Sequence, residues 1–79
     1  MKLKVYTPSD IFLNREVKKV VAESPAGSFC ILPRHIDYVT ALTTGILSYL
    51  TPEDEERFLA IDKGVLVKLA DEVRVAESG

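Results

Sequence analysis

Apolar positions in this chain fall into short, largely β-branched runs, and glycine and proline separate one run from the next. The breaks stand at Pro8, Pro25-Ala26-Gly27, Pro33, Gly45, Pro52 and Gly64. Between them lie strand-sized runs at 3–7, 17–23, 29–32, 46–51, 58–61, 65–69 and 73–76. A further apolar run follows His35 and closes at Thr43-Thr44-Gly45. Period-two alternation supports strands: Val65, Val67 and Leu69 share one face, and Val73 and Val75 flank an exposed Arg74. Pro33 ends the run before it, because proline has no amide donor and pushes Leu32 into an extended conformation. Arg34, His35 and Asp37 then form a polar turn. Thr51-Pro52-Glu53-Asp54 and Asp62-Lys63-Gly64 read as hairpin turns, with glycine supplying the positive φ. The best helix candidate, 52–60, is too short and too poorly patterned to compete. Many short strands with turns at regular spacing predict an all-β fold, a flattened β-sandwich or barrel of about eight to ten short strands.

Size and charge narrow the partners. The 79 residues make one domain, and a domain near this size buries only roughly 60% of its unfolded surface, so a partner surface matters to it. At 47% hydrophobic residues the chain is too apolar for a disordered segment. A formal net charge of -2 gives no basic footprint for nucleic acid or anionic membranes, and both are disfavoured as partners. Cys30 is the only cysteine, so no internal disulfide forms; beside Ile31 and Leu32 it reads as a small buried hydrophobe in a reducing compartment. No apolar stretch approaches the roughly 20 residues of a membrane span. The opening MKLKVYTPSD lacks the hydrophobic region of a signal peptide. The expectation is a soluble, non-secreted protein without direct bilayer insertion, compatible with a place on a membrane complex.

The search for reaction chemistry returns no catalytic residue, no nucleotide site, no metal site and no cofactor. A phosphate loop requires a glycine-rich run ending in Gly-Lys-Ser/Thr, and none is present. One histidine and one cysteine, five residues apart across a proline, fall short of the four ligands of a zinc site. His35 and Asp37 could pair, but Cys30 has no cationic neighbour to activate it as a nucleophile. The acidic run Glu53-Asp54-Glu55-Glu56 lacks the interleaved glycine and alternating ligands of a calcium loop and reads as a solvated hairpin tip. Lys63, between two β-rich runs, offers one alternative: the attachment lysine of a lipoyl-type carrier domain. It comes late in the chain, however, and Ala60 and Ile61 stand where an acidic lead-in belongs.

One resemblance covers the chain from end to end. Its residues are Leu3-Lys4-Val5-Tyr6-Thr7-Pro8, Glu16-Val17-Lys18-Lys19-Val20-Val21-Ala22-Glu23, Gly27-Ser28-Phe29-Cys30-Ile31-Leu32-Pro33-Arg34-His35, Thr40-Ala41-Leu42, Gly45-Ile46-Leu47, and Phe58-Leu59-Ala60-Ile61-Asp62-Lys63-Gly64-Val65-Leu66. Glycine, apolar strand, Pro-x-His, Thr-x-Leu and Gly-x-Leu at these spacings resemble the amino-terminal β-sandwich domain of the epsilon subunit of F-type ATP synthases. The family commonly has Pro-Gly-His followed by a small residue and proline, where this chain has Pro33-Arg34-His35-Ile36-Asp37. That wording is more similar to the alternate F-type synthases, often linked to sodium transport. Members usually continue into a two-helix carboxy-terminal region, and the chain stops at Ala76-Glu77-Ser78-Gly79; the resemblance thus implies the sandwich domain alone, 1–79, with that region absent.

The resemblance implies a non-catalytic rotor subunit at the foot of the central stalk, peripheral on the cytoplasmic face of the membrane. It would grip gamma on one side and the polar loops of the membrane ring (c) subunits on another. Carried over by motif, Ala26, Gly27, Ser28 and Phe29 would meet the membrane ring, and Thr7, His35 and Thr40 would lie toward gamma. Small side chains in the Pro25-Ala26-Gly27-Ser28 turn suit close approach of backbone to another surface, with Phe29 anchoring the turn in the core. Whether the complex moves protons or sodium is set in the membrane ring.

Overall fold

The computed structural model describes residues 1–8 and 10–77. Among them nine strands form: β1 Lys2–Thr7, β2 Asp10–Glu16, β3 Lys19–Ser24, β4 Gly27–Ile31, β5 Tyr38–Leu42, β6 Gly45–Leu50, β7 Glu56–Ile61, β8 Gly64–Leu69 and β9 Glu72–Glu77. A five-stranded sheet has the order β2-β1-β9-β8-β5, and a four-stranded sheet the order β4-β3-β6-β7. The two pack face to face as a sandwich. Every pairing is antiparallel except β1 with β9, which run parallel from Lys2↔Glu72 to Tyr6↔Ala76. Among the described residues no helix is long and apolar enough to cross a membrane.

Alternation along each strand explains the core. Leu3 and Val5 of β1 lie level with Val73 and Val75 of β9, Val75 is level with Leu66 of β8, and all five are fully buried. The facing sheet contributes Val20 and Ala22 from β3, Ile31 from β4, Leu47 and Tyr49 from β6, and Ile61 from β7. Each such large apolar side chain removed from water contributes about 1.5–3 kcal/mol. The same parity sends the neighbouring residues outward.

Parity also corrects one expectation and gives another its orientation. Cys30 is exposed rather than buried: β4 reaches the core through Ile31, so the preceding residue points outward, level with Val21 of β3. On β8 the face shared by Val65, Val67 and Leu69 looks outward, and the buried positions are Leu66 and Lys68. The expected strands are all present, with β5 in the run after His35, but β2 lay under no marked run because Asn14, Arg15 and Glu16 dilute its apolar residues.

The Thr51–Asp54 turn joins a true hairpin, β6 to β7, but Asp62-Lys63-Gly64 carries the chain from β7 in one sheet to β8 in the other instead of closing a hairpin, and Gly64 does not have the positive φ. Asp54 (66°), Lys63 (56°) and Ala70 (52°) adopt it instead. Gly64 is required for another reason: a Cβ there would collide with the Ala76 carbonyl oxygen of the neighbouring strand. Gly64→Ala should therefore destabilise the domain by about 1–3 kcal/mol, the usual range for overpacking, with the loss read from urea denaturation midpoints.

Candidate protein-contact site

The turn from β3 to β4 has only two residues between the paired Ser24 and Gly27. Ser24 ties it together: its Oγ accepts from the Ala26 N–H at 3.2 Å and donates to the Gly27 carbonyl at 3.2 Å. Gly27 holds φ at 120°, in the left-handed range, with open space on the side where a Cβ would stand. Ala26, Gly27 and Ser28 are exposed, whereas Phe29 is half-buried against the core.

Phe29 meets Tyr38 edge-to-face at 5.8 Å between centroids, and Tyr38 meets His35 the same way at 5.6 Å. β4 is an edge of the four-stranded sheet and β5 an edge of the five-stranded one. The three aromatic side chains thus close one seam of the sandwich and join the exposed turn to the loop of residues 32–37. Such aromatic pairs contribute about 0.5–1.5 kcal/mol beyond their burial. On the β2 side, the Arg15 guanidinium lies 5.6 Å from the centroid of Tyr49, a cation–π contact between the sheets.

The loop itself is held from beneath. The His35 N–H donates to the Leu32 carbonyl at 2.9 Å, and His35 Nδ1 lies 2.8 Å from the Ile36 carbonyl. Lys68, 1% exposed, donates from Nζ to the His35 carbonyl at 3.0 Å and also to the Ala70 carbonyl. The Asp37 carboxylate accepts the Ala70 N–H at 3.0 Å. Nothing in the sequence pattern marked Lys68 or Tyr38.

Thr7, His35 and Thr40 do not form one cluster. The strand row of Thr40 continues through Leu66 and Val75 to Val5. β1 and β5 run the same way, so Thr7 lies beyond that row at one end of the sheet and His35 before it at the other. Thr40 sits between them, its Oγ1 donating to the Ala41 carbonyl at 3.2 Å. The Ala26–Gly27 turn shares its end of the sandwich with Thr7, since Thr43, which follows β5, donates its N–H to the Glu23 carbonyl at 3.1 Å.

The outer face of the five-stranded sheet divides in two. On β5 and β8, Val39 and Ala41 pair with Val67 and Val65, and Leu69 follows; Val39 is 67% exposed, and Ile36, just before the strand, 77%. Contiguous exposed apolar surface of this kind marks contact sites. On β1 and β9 the face is charged: Glu72 accepts from Arg74 Nε and pairs with Lys4 Nζ at 3.2 Å. The hydrogen bond from Arg74, and after it that from Lys4, hold the Glu72 carboxyl below its ordinary value. On the other sheet, Ile46 and Phe58 are exposed on the outer face; the alternation that buries Leu47 and Ile61 accounts for both. Among the described residues no group of three or more His, Cys, Asp or Glu is placed to hold a metal ion. Lys63 stands exposed at its turn.

The class so defined is a two-sheet β-sandwich whose distinctive side chains lie on turns and outer faces. The family model for the ATP synthase, Delta/Epsilon chain, beta-sandwich domain matches residues 1–78, and the chain belongs to that family. It is similar to an ATP synthase epsilon chain 2 of Paraburkholderia xenovorans, 37% identical over 67 residues, covering 84% of this chain and 48% of that one. An ATP synthase epsilon chain of Campylobacter hominis is 33% identical over 70 residues, covering 89% and 54%. The chain thus spans about half the length of these relatives. In fold it matches a chain of the Euglena gracilis mitochondrial ATP synthase OSCP/F1/c-ring structure, with a TM-score of 0.90 at 19% identity, covering 98% of this chain and 49% of that one.

A carboxyl held low in the folded state adds stability above its ordinary value of 4.5, and that stability is lost as pH falls through the lower folded value. An NMR titration should place Glu72 below 4.5. Arg74→Ala should move it back toward that value.

Proposed function

We propose that this domain is a non-catalytic central-stalk subunit of an F-type ATP synthase, coupling rotation of the membrane ring to the catalytic head. The observation that carries the reading is the family match over residues 1–78. The names of the relatives point the same way, as do the assemblies in which the fold recurs, among them the central stalk/c-ring of the Tetrahymena thermophila mitochondrial enzyme. The mechanical demand is stiffness. A protein interior packs as densely as an organic crystal and transmits strain, and two short-stranded sheets bridged at both seams form such a body.

In this reading Ala26, Gly27, Ser28 and Phe29 approach the polar loops of the ring subunits, where the small exposed side chains let backbone come close. Gamma approaches the five-stranded sheet between the Thr7 end and the His35 end, with the exposed apolar face around Val39 as its central contact, while Thr40, on the parity that buries Leu42 and Leu66, backs that face from within. The domain is peripheral to the membrane, on its cytoplasmic side, and holds no nucleotide. Lys63 is an ordinary turn lysine, so the intact mass after expression in a lipoylating host should equal that of the unmodified chain.

The deciding experiment is co-purification from membranes, in which gamma and ring subunits should accompany the domain; recovery of neither overturns the reading. Ser28→Arg should leave stability within about 0.5 kcal/mol, as surface substitutions usually do, yet weaken assembly with the membrane ring. Full ion-coupled ATP synthesis by a reconstituted complex carrying Ser28→Arg would remove this turn from the contact. Calorimetry of the isolated domain with ATP should give no saturable signal.

A further inference from the structure

Loop 32–37 carries exposed Arg34, Ile36 and Asp37, contains no glycine, and lies outside both sheets. Its own constraints are Pro33, the His35 to Leu32 backbone bond and the contact of His35 Nδ1 with the Ile36 carbonyl. Lys68 supplies what the loop lacks. A buried ammonium is costly unless its N–H groups are satisfied, and among the described residues no carboxylate lies within ion-pair distance of Lys68. Two carbonyls take that role: one from the loop, His35, and one from the β8–β9 turn, Ala70. Asp37 closes the circuit from the loop side by accepting the Ala70 N–H. Ala70 is thereby held at both its N–H and its carbonyl, at a φ of 52° that an L-residue adopts only when its surroundings require it. The loop cannot swing away from the β8–β9 turn without stripping the His35 carbonyl from a buried charge.

We propose that Lys68 and Asp37 are positioning residues, a latch that fixes loop 32–37 on the β8–β9 turn so that Arg34, His35 and Ile36 are presented to gamma in one shape. The gamma half of this inference rests on the function proposed above. Neither residue touches the partner; both act through the loop backbone.

The test pairs hydrogen exchange with affinity for the gamma subunit of the same complex. Lys68→Met keeps the unbranched stem and removes the ammonium. It should speed exchange of the amides of loop 32–37 and Ala70 by about tenfold or more while β1, β3 and β9 stay protected. Its Kd for gamma should rise by about tenfold or more, a change of one decade. Asp37→Ala should act in the same direction, and Asp37→Asn, whose amide oxygen still accepts the Ala70 N–H, should restore both readouts. If Lys68→Met does not fold, the Asp37 pair decides. Unchanged loop exchange in Asp37→Ala overturns the latch, and faster exchange with gamma affinity within twofold overturns its role in presentation. Failure of the unaltered protein to bind gamma overturns the proposed function and the gamma half of this inference together, a result distinct from failure of the latch.

Discussion

The parallel pairing of β1 with β9 is the contact on which the sandwich depends. It joins the first strand to the last, so the five-stranded sheet exists only when nearly the whole chain has folded. It also sets the central rows, since Leu3 against Val73 and Val5 against Val75 place four fully buried side chains at the middle of one sheet. A slip of β1 by one residue in that register would turn Leu3 and Val5 toward water while Val73 and Val75 stayed inside. The alternation of apolar and polar positions thus fixes register as well as strand identity.

Much of this architecture was legible in the residues. The runs between glycine and proline became strands because β-branched side chains fit a half-buried pleated surface. Three features escaped. Strand β2 was hidden because an edge strand has to bury little, and Arg15 meets Tyr49 through its guanidinium face. Cys30 was assigned by the company it keeps, whereas parity alone decides which way a strand residue points. Lys68 occupies a core position of β8 because two carbonyl groups, remote in sequence or strained in φ, wait for its ammonium; no count of apolar residues anticipates acceptors of that kind. Of the residues proposed for contact, Ala26 to Phe29 stood out as a local motif. The separation of Thr7 from His35 follows from strand direction, which local patterns do not carry.

The two seams divide the work of closure between different forces. Phe29, Tyr38 and His35 close one with aromatic edges, and Arg15 over Tyr49 bridges the other with a charge on a π face. The first links the edge strands β4 and β5, and the second reaches from the edge strand β2 to Tyr49 on the inner strand β6. The aromatic seam also passes directly beneath the loop that Lys68 and Asp37 hold, so packing and polar bonding fix the same segment from two sides.

The direction of the β1–β9 pair has a mechanical meaning of its own. Because the strands are parallel, Met1 stands at one end of the body and Glu77 at the other. A load applied between those points runs along both strands and strains every rung from Lys2↔Glu72 to Tyr6↔Ala76 in shear. An antiparallel pair pulled from its open end would instead unzip one rung at a time. The chain therefore places its most force-resistant geometry at the centre of its larger sheet.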